Sequence, residues 1–169
     1  MKYIIFLRAI NVGGRNKLSM AELKTVLTNN GYQQVETYLQ TGNLCLTAST
    51  PDALSRLKPI LFEAFRLNLD LIIYPFDHFA ELVSKNPYKD YDAEKETVML
   101  LLTNEHLATE TTESNQADLT LMDEVVFVKY HTKATHQVNL QPLLKTKLQQ
   151  PYTARNITTI QKLLDKWQD

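Results

Sequence analysis

The order in which hydrophobic periodicity changes along the first 75 residues is the strongest constraint on what this chain can become. Tyr3 to Ile10 is rich in apolar, β-prone residues and reads as a strand. Asn11 to Lys17 is a loop in which Gly13-Gly14 supplies backbone freedom. Ser19-Met20-Ala21-Glu22 has the spacing of a capping box, in which Ser19 accepts from the amide of residue 22. Met20, Leu23, Val26 and Leu27 then recur at helical spacing, and Asn30-Gly31 closes the helix. Val35, Thr37 and Leu39 alternate with polar neighbours, Thr41-Gly42-Asn43 turns, and Leu44 to Leu46 returns as the second arm of a hairpin. Thr50-Pro51-Asp52 opens another helix, and Pro59 within it calls for a kink or break. Leu69 to Tyr74 is a strand that Pro75 ends. Strand, helix, strand, strand, helix, strand is the ferredoxin-like (α-β plait) order, an antiparallel sheet with two helices on one face.

The second half has weaker punctuation. Asp77 can cap a short helix to Lys85, which Asn86-Pro87 stops. Tyr88 to Glu96 is a polar, acidic linker, and Thr97 to Leu102 is a buried-strand sequence. Asn104 is the expected cap of a helix through about Ser114. Leu119-Thr120-Leu121 and Val125 to Tyr130 read as a hairpin around Asp123-Glu124. Asn139 can cap a helix bearing Leu140, Leu143, Leu144 and Leu148. Thr153-Ala154-Arg155-Asn156 is expected to begin a last amphipathic helix carrying Ile157, Ile160, Leu163, Leu164 and Trp167. The expected architecture is therefore α+β with two ferredoxin-like lobes in tandem, residues 1–76 and residues 77–169, the second with an extra C-terminal helix. Residue-level similarity between the halves is absent; only the element order repeats.

Composition excludes several classes. The single cysteine, Cys45, permits no intramolecular disulfide, which fits a reducing, cytoplasmic setting. The apolar run Tyr3 to Leu7 is too short for a signal peptide, and no stretch approaches the length of a membrane span. The net charge of −1 hides an uneven distribution. Residues 1–48 hold five bases and two acids, residues 90–124 ten acids and one base, and residues 125–169 seven bases and two acids. A general nucleic-acid binder is basic overall, and a pI near 6.4 argues against one. The strand Asn43 to Ala48 also lacks the aromatic platform of an RNA-binding sheet.

The chemically suggestive stretch is Asn11-Val12-Gly13-Gly14-Arg15-Asn16-Lys17. Two glycines allow close backbone approach, Arg15 and Lys17 add charge, and a helix start follows, an arrangement attractive to phosphate or carboxylate. The spacing is neither a P-loop nor a dinucleotide fingerprint. Arg8 interrupts an apolar strand and by alternation shares a face with Ile4, Phe6 and Ile10, so it must meet solvent, a partner residue or a ligand. Arg155 and Asn156 offer donors to an anion at the expected start of the last helix, although simple capping by Thr153 or Asn156 is the more ordinary account. His131 and His136 are five apart, a spacing that suits no common metal motif, so neither metal nor cofactor is expected. Hydrolase and metalloprotease signatures are absent.

The stretch FLRAINVGGRNKLSMAELKTVLTNNGYQQVETYLQTGN closely resembles the bacterial family catalogued as domain of unknown function 1697. The matching positions are Leu7-Arg8, Ile10-Asn11-Val12-Gly13-Gly14, Asn16, Met20, Leu23, Leu27, Gly31, Val35, Thr37-Tyr38, Gln40 and Gly42-Asn43. Asn86-Pro87-Tyr88 and Thr153-Ala154-Arg155-Asn156, with Thr159 and Leu163, resemble its central and C-terminal signatures. The resemblance implies two ferredoxin-like lobes and supplies no activity. The chain departs from the pattern at Ala9, where the family usually has glycine, at Ile157, where it often has tryptophan, and over residues 131–138.

Taken together, the sequence points to a cytoplasmic protein that binds a small anionic or phosphate-bearing ligand in a cleft between its lobes. Arg8, Arg15, Lys17 and Arg155 would supply charge, Gly13 and Gly14 backbone donors, and Asn11, Asn16 and Asn156 orientation. The alternatives are an enzyme acting on a phosphorylated metabolite and a protein-interaction module. An enzyme would need an acid or base brought in by the fold, with Glu36, Tyr38 and His131 as the available groups. The sequence sets neither the ligand nor the oligomeric state.

Overall fold

The structure, a computed structural model, describes residues 1–169 and divides into two compact units, Met1–Ala80 and Glu81–Asp169. In the first unit β1 (Lys2–Leu7), α1 (Met20–Asn29), β2 (Gln33–Tyr38), β3 (Asn43–Thr47), α2 (Asp52–Ser55), α3 (Leu57–Phe65) and β4 (Leu71–Pro75) follow one another. The strands form one sheet in the order β2-β3-β1-β4, antiparallel throughout. The central strand β1 pairs Ile4 with Cys45 on one side and with Tyr74 on the other. Its odd residues Tyr3, Ile5 and Leu7 pack with Leu23 and Leu27 of α1 and Leu57 and Leu61 of α3. Ile4 and Phe6 on its other face are fully buried too: Phe6 meets Tyr74 edge-on and the tilted ring of Phe79 of α4 (Phe76–Ser84), with centroids 6.3 and 5.4 Å away. Burial on both faces explains why β1 reads as a continuous apolar run and not as an alternation.

The expected alternation of strands and helices is present in this unit, with two corrections. The helix after Thr50 breaks at Arg56, not at Pro59. Proline removes an amide and its ring collides with the carbonyl four residues earlier, so the chain starts a new helix just upstream and places Pro59 in its first turn. The strand β1 also stops at Leu7, so Arg8 lies outside it and Ile10 does not join the face of Ile4 and Phe6. Ala9 takes a left-handed φ of 58°, which destroys the alternation and turns Ile10 into the cluster of Ile5 and Leu7.

The second unit departs further from expectation. The stretch from Asn104 is not a helix: β5 runs Thr97–Thr112 and β6 Ala117–Tyr130. With Thr109, Thr111 and Thr112 the segment is β-branched and a poor helix, and a neighbouring strand takes it up. Thr111 sits opposite Thr120 with the two hydroxyls 3.2 Å apart. The ladder shifts register between Leu102 and Leu107, so Thr97–Leu102 pairs with Val125–Tyr130 while Leu107–Thr112 pairs with residues 119–123. The strand β6 itself doubles back at Asp123, whose φ is 52°. The His131 amide donates to the Gln116 carbonyl at 3.0 Å, and Lys129 lies 3.8 Å from Asp118. A straight strand would hold Lys129 and Asp118 roughly 35 Å apart. The hairpin expected around Asp123-Glu124 is not formed as two separate strands: residues 119–121 and 125–130 belong to one strand, each pairs with its own half of β5, and the chain bends between them.

The strand β7 (Tyr152–Asn156) pairs with β5 on its other side, giving the order β6-β5-β7. Residues 153–156 thus form a strand, not the first turn of a helix; α6 (Ile157–Trp167) begins after them. α5 (Gln141–Lys147) brings Leu144, with Leu148 just beyond it, into a core with Leu101, Val126 and Val128. α6 buries Ile157, Ile160, Leu163 and Trp167. No helix is long and apolar enough to cross a membrane.

Candidate functional site

The loop from Arg8 to Ser19 is built by backbone conformation before any side chain acts. Ala9, Asn11, Gly13, Gly14 and Asn16 all have positive φ, between 50° and 74°. Gly13 and Gly14 form the tip of a tight turn in which the Arg15 amide donates to the Val12 carbonyl at 2.9 Å. The space around both glycines is open. The Asn11 side chain braces the base: its Oδ1 accepts from the Leu18 amide at 2.8 Å, and its Nδ2 donates to Leu18 and Gln40 carbonyls at 3.0 and 2.7 Å. Asn16 Nδ2 donates to the Ala9 carbonyl at 3.0 Å. Both asparagines therefore hold the loop's shape, Asn11 through both of its side-chain polar atoms and Asn16 through its Nδ2.

Ser19 caps α1 as its spacing requires, accepting from the Glu22 amide at 3.3 Å. Between loop and helix lies an open cavity of about 560 Å3 lined by Asn11, Gly14, Lys17, Ser19, Glu22 and Gln40 among others. Arg15 and Lys17 are exposed and have no carboxylate partner. Sequence reading missed Glu22 and Gln40 as wall residues, although the capping box at once after the glycines marks where Glu22 falls.

Arg8 and Arg155 belong to different units and have different surroundings. The Arg8 amide donates to the Asp70 carbonyl at 3.1 Å, and its guanidinium stands 3.5 Å from the Asp70 carboxylate, both side chains half exposed. Arg155 is buried in β7 and donates to Thr153 Oγ1 at 2.8 Å and to the Ala154 carbonyl at 2.9 Å. Burial pulls its pKa down to about 10. Asn156 is the N-cap of α6, its Oδ1 accepting from the Thr158 amide at 2.9 Å.

The residues considered for acid–base work lie elsewhere. Glu36 and Tyr38 are on β2. His131 sits between two carboxylates, with Nε2 3.1 Å from Asp118 and Nδ1 3.5 Å from Glu96. Both ring nitrogens are occupied, so the imidazole has none left for a substrate. The same two carboxylates also converge on Lys129, whose Nζ lies 3.8 Å from each, and no cluster of three ligating side chains has metal-holding geometry. Cys45 is buried and its thiol is pushed up to about 11, chiefly by desolvation, which suppresses the reactive thiolate.

Two antiparallel sheets with flanking helices define an α+β protein, and an open cationic loop after the first strand borders a cavity on its N-terminal unit. Residues 1–132 match the family described as protein of unknown function DUF1697, and the chain belongs to that family. The fold is similar to that of the conserved bacterial protein SP0830 from Streptococcus pneumoniae, with a TM-score of 0.74, 22% identity and 95% of each chain covered. No curated protein matches the sequence.

Proposed function

We propose that the Arg8–Ser19 loop binds a small anionic or phosphate-bearing ligand, and that the protein is a binding module rather than a catalyst. The observation that carries this reading is the cluster of left-handed residues. Left-handed conformations at non-glycine positions cost about 1–3 kcal/mol each and persist where a particular backbone shape is required. Runs that mix left- and right-handed residues turn successive amides toward one concavity, which suits an anion. Here the amides of Gly13, Gly14 and Lys17 donate to no protein acceptor, and two unpaired cations flank them. Glu22 is the one carboxylate on the cavity wall, so no acid–base pair stands ready for chemistry. The strand order β2-β3-β1-β4 supports reading the first unit as a ferredoxin-like lobe, with this loop leading from its first strand to its first helix.

A thermal-shift series with sulfate, sugar phosphates and nucleotides at constant ionic strength tests the proposal. Ligand at 100 times its dissociation constant stabilises the fold by about 2.7 kcal/mol. The expected result is a rise in Tm of several degrees for the native chain and none for Arg15→Ala/Lys17→Ala. An equal rise in that variant, or no rise with any anion, defeats it.

A further inference from the structure

A second cavity, of about 480 Å3, lies in the second unit between the segment after α4 and one side of α6. That volume is within the range of small-molecule sites. Asn86, Lys89 and Tyr91 form one wall, and Thr158, Lys162 and Asp165 the other. Asn86 is 7% exposed, and its Oδ1 accepts from the Tyr88 amide at 2.9 Å. Its Nδ2 has no acceptor in the protein. No side-chain nitrogen or oxygen in the chain is both buried and unpartnered, so this Nδ2 reaches solvent at the cavity wall and can donate to a bound group without giving up a protein partner. Lys89 and Lys162 likewise have no carboxylate partner. Asn156 already caps α6, so the cations and not the helix end set the local charge.

The Asn86 wall is held in place. The Tyr88 hydroxyl lies 2.8 Å from Thr120 Oγ1, Lys129 sits over the Tyr88 ring at 5.5 Å, and Lys133 Nζ donates to the Ala93 carbonyl at 2.9 Å. A pre-ordered wall lowers the ordering cost of binding.

We propose that this cavity is a binding site for an organic phosphomonoester, independent of the N-terminal loop. Lys89, Lys162 and the Asn86 Nδ2 receive the phosphate oxygens, charge-assisted and neutral donors together. Tyr91 and Ile157 supply apolar surface for the organic part, and Asp165, two helical turns beyond Thr158, accepts from a hydroxyl or ammonium group at its far end.

The test is an amide NMR titration of the full chain with phenyl phosphate at constant ionic strength, with phenol, benzoate and inorganic phosphate as separate arms. Phenyl phosphate is expected to shift the Asn86 side-chain NH2 and the Lys89, Tyr91, Thr158 and Lys162 amides saturably. Lys162→Gln, on an exposed position, should weaken this about tenfold, the loss of one charge-assisted contact. Asn86→Asp keeps the acceptor for the Tyr88 amide but removes the donor, and should weaken binding at least as much. Inorganic phosphate and benzoate should bind more weakly, and phenol not at all. The site is refuted by the absence of saturable shifts at these residues, by unchanged affinity in both variants, or by shifts confined to residues 9–19. Equal binding of inorganic phosphate or benzoate overturns the phosphomonoester assignment.

Discussion

Single residues fix the backbone around the candidate loop more than their chemistry suggests. Gly42 has a φ of 95°, and its carbonyl accepts from the Leu7 amide at 2.9 Å. A Cβ there would lie 2.8 Å from Ile10 Cδ1 and 2.9 Å from Leu7 Cβ. Gly42→Ala therefore combines overpacking with a left-handed alanine, and urea titration should show a loss of about 2–4 kcal/mol. Ala9 carries the opposite lesson. It has a φ of 58° without being glycine, at a position where resemblance to the family pattern leads one to expect glycine. Ala9→Gly should relieve about 1–2 kcal/mol of left-handed cost against about 0.5–1 kcal/mol of added chain entropy, leaving the protein slightly more stable in the same titration.

Among the elements, α1 was legible because its signals are local. Ser19 and Glu22 fix the start, the apolar stripe fixes the buried face, and Asn30-Gly31 fixes the end. Ser19→Ala should cost about 0.5–2 kcal/mol in denaturant unfolding, and an unchanged midpoint would show that the cap carries no weight. The stretch 104–114 misled because Asn104 is a plausible cap and no local signal outweighs it. What makes it a strand is Thr120 and Leu121 of β6 alongside it, contacts that sequence order does not display. Arg155 was likewise placed at a helix start by its neighbour Asn156, which is the true cap, while pairing with Leu100 draws Arg155 into β7.

Across the whole molecule, the basic–acidic–basic charge pattern finds part of its use in the second unit. Lys129 near the end of β6, and His131 and Lys133 just beyond it, reach the acidic segment before β5. The Asp92 amide, donating to its carboxylate, is the main reason that Glu96 titrates below the ordinary glutamate range, helped by His131 and Lys129. A carboxyl that is more acidic in the folded state stabilises the fold above its unfolded pKa, and that contribution is lost as pH falls through the folded value. Melting curves from neutral to acid pH should therefore fall less steeply for Glu96→Gln than for the native chain. Parallel curves would mean that this clasp does not contribute.

The sequence by itself determined the first unit's element order, the α1 cap, the two glycine-bearing turns and the cationic character of residues 8–17, because each depends on residues within a few positions of one another. Tertiary structure alone decided that Asn11 and Asn16 brace the loop, that Arg8 pairs with Asp70, that β6 folds back on itself and that Asn86 opens onto a cavity. Those outcomes depend on hydrogen-bond and sheet partners distant in sequence, whose approach is set by the packing of whole strands and helices and not by any local propensity.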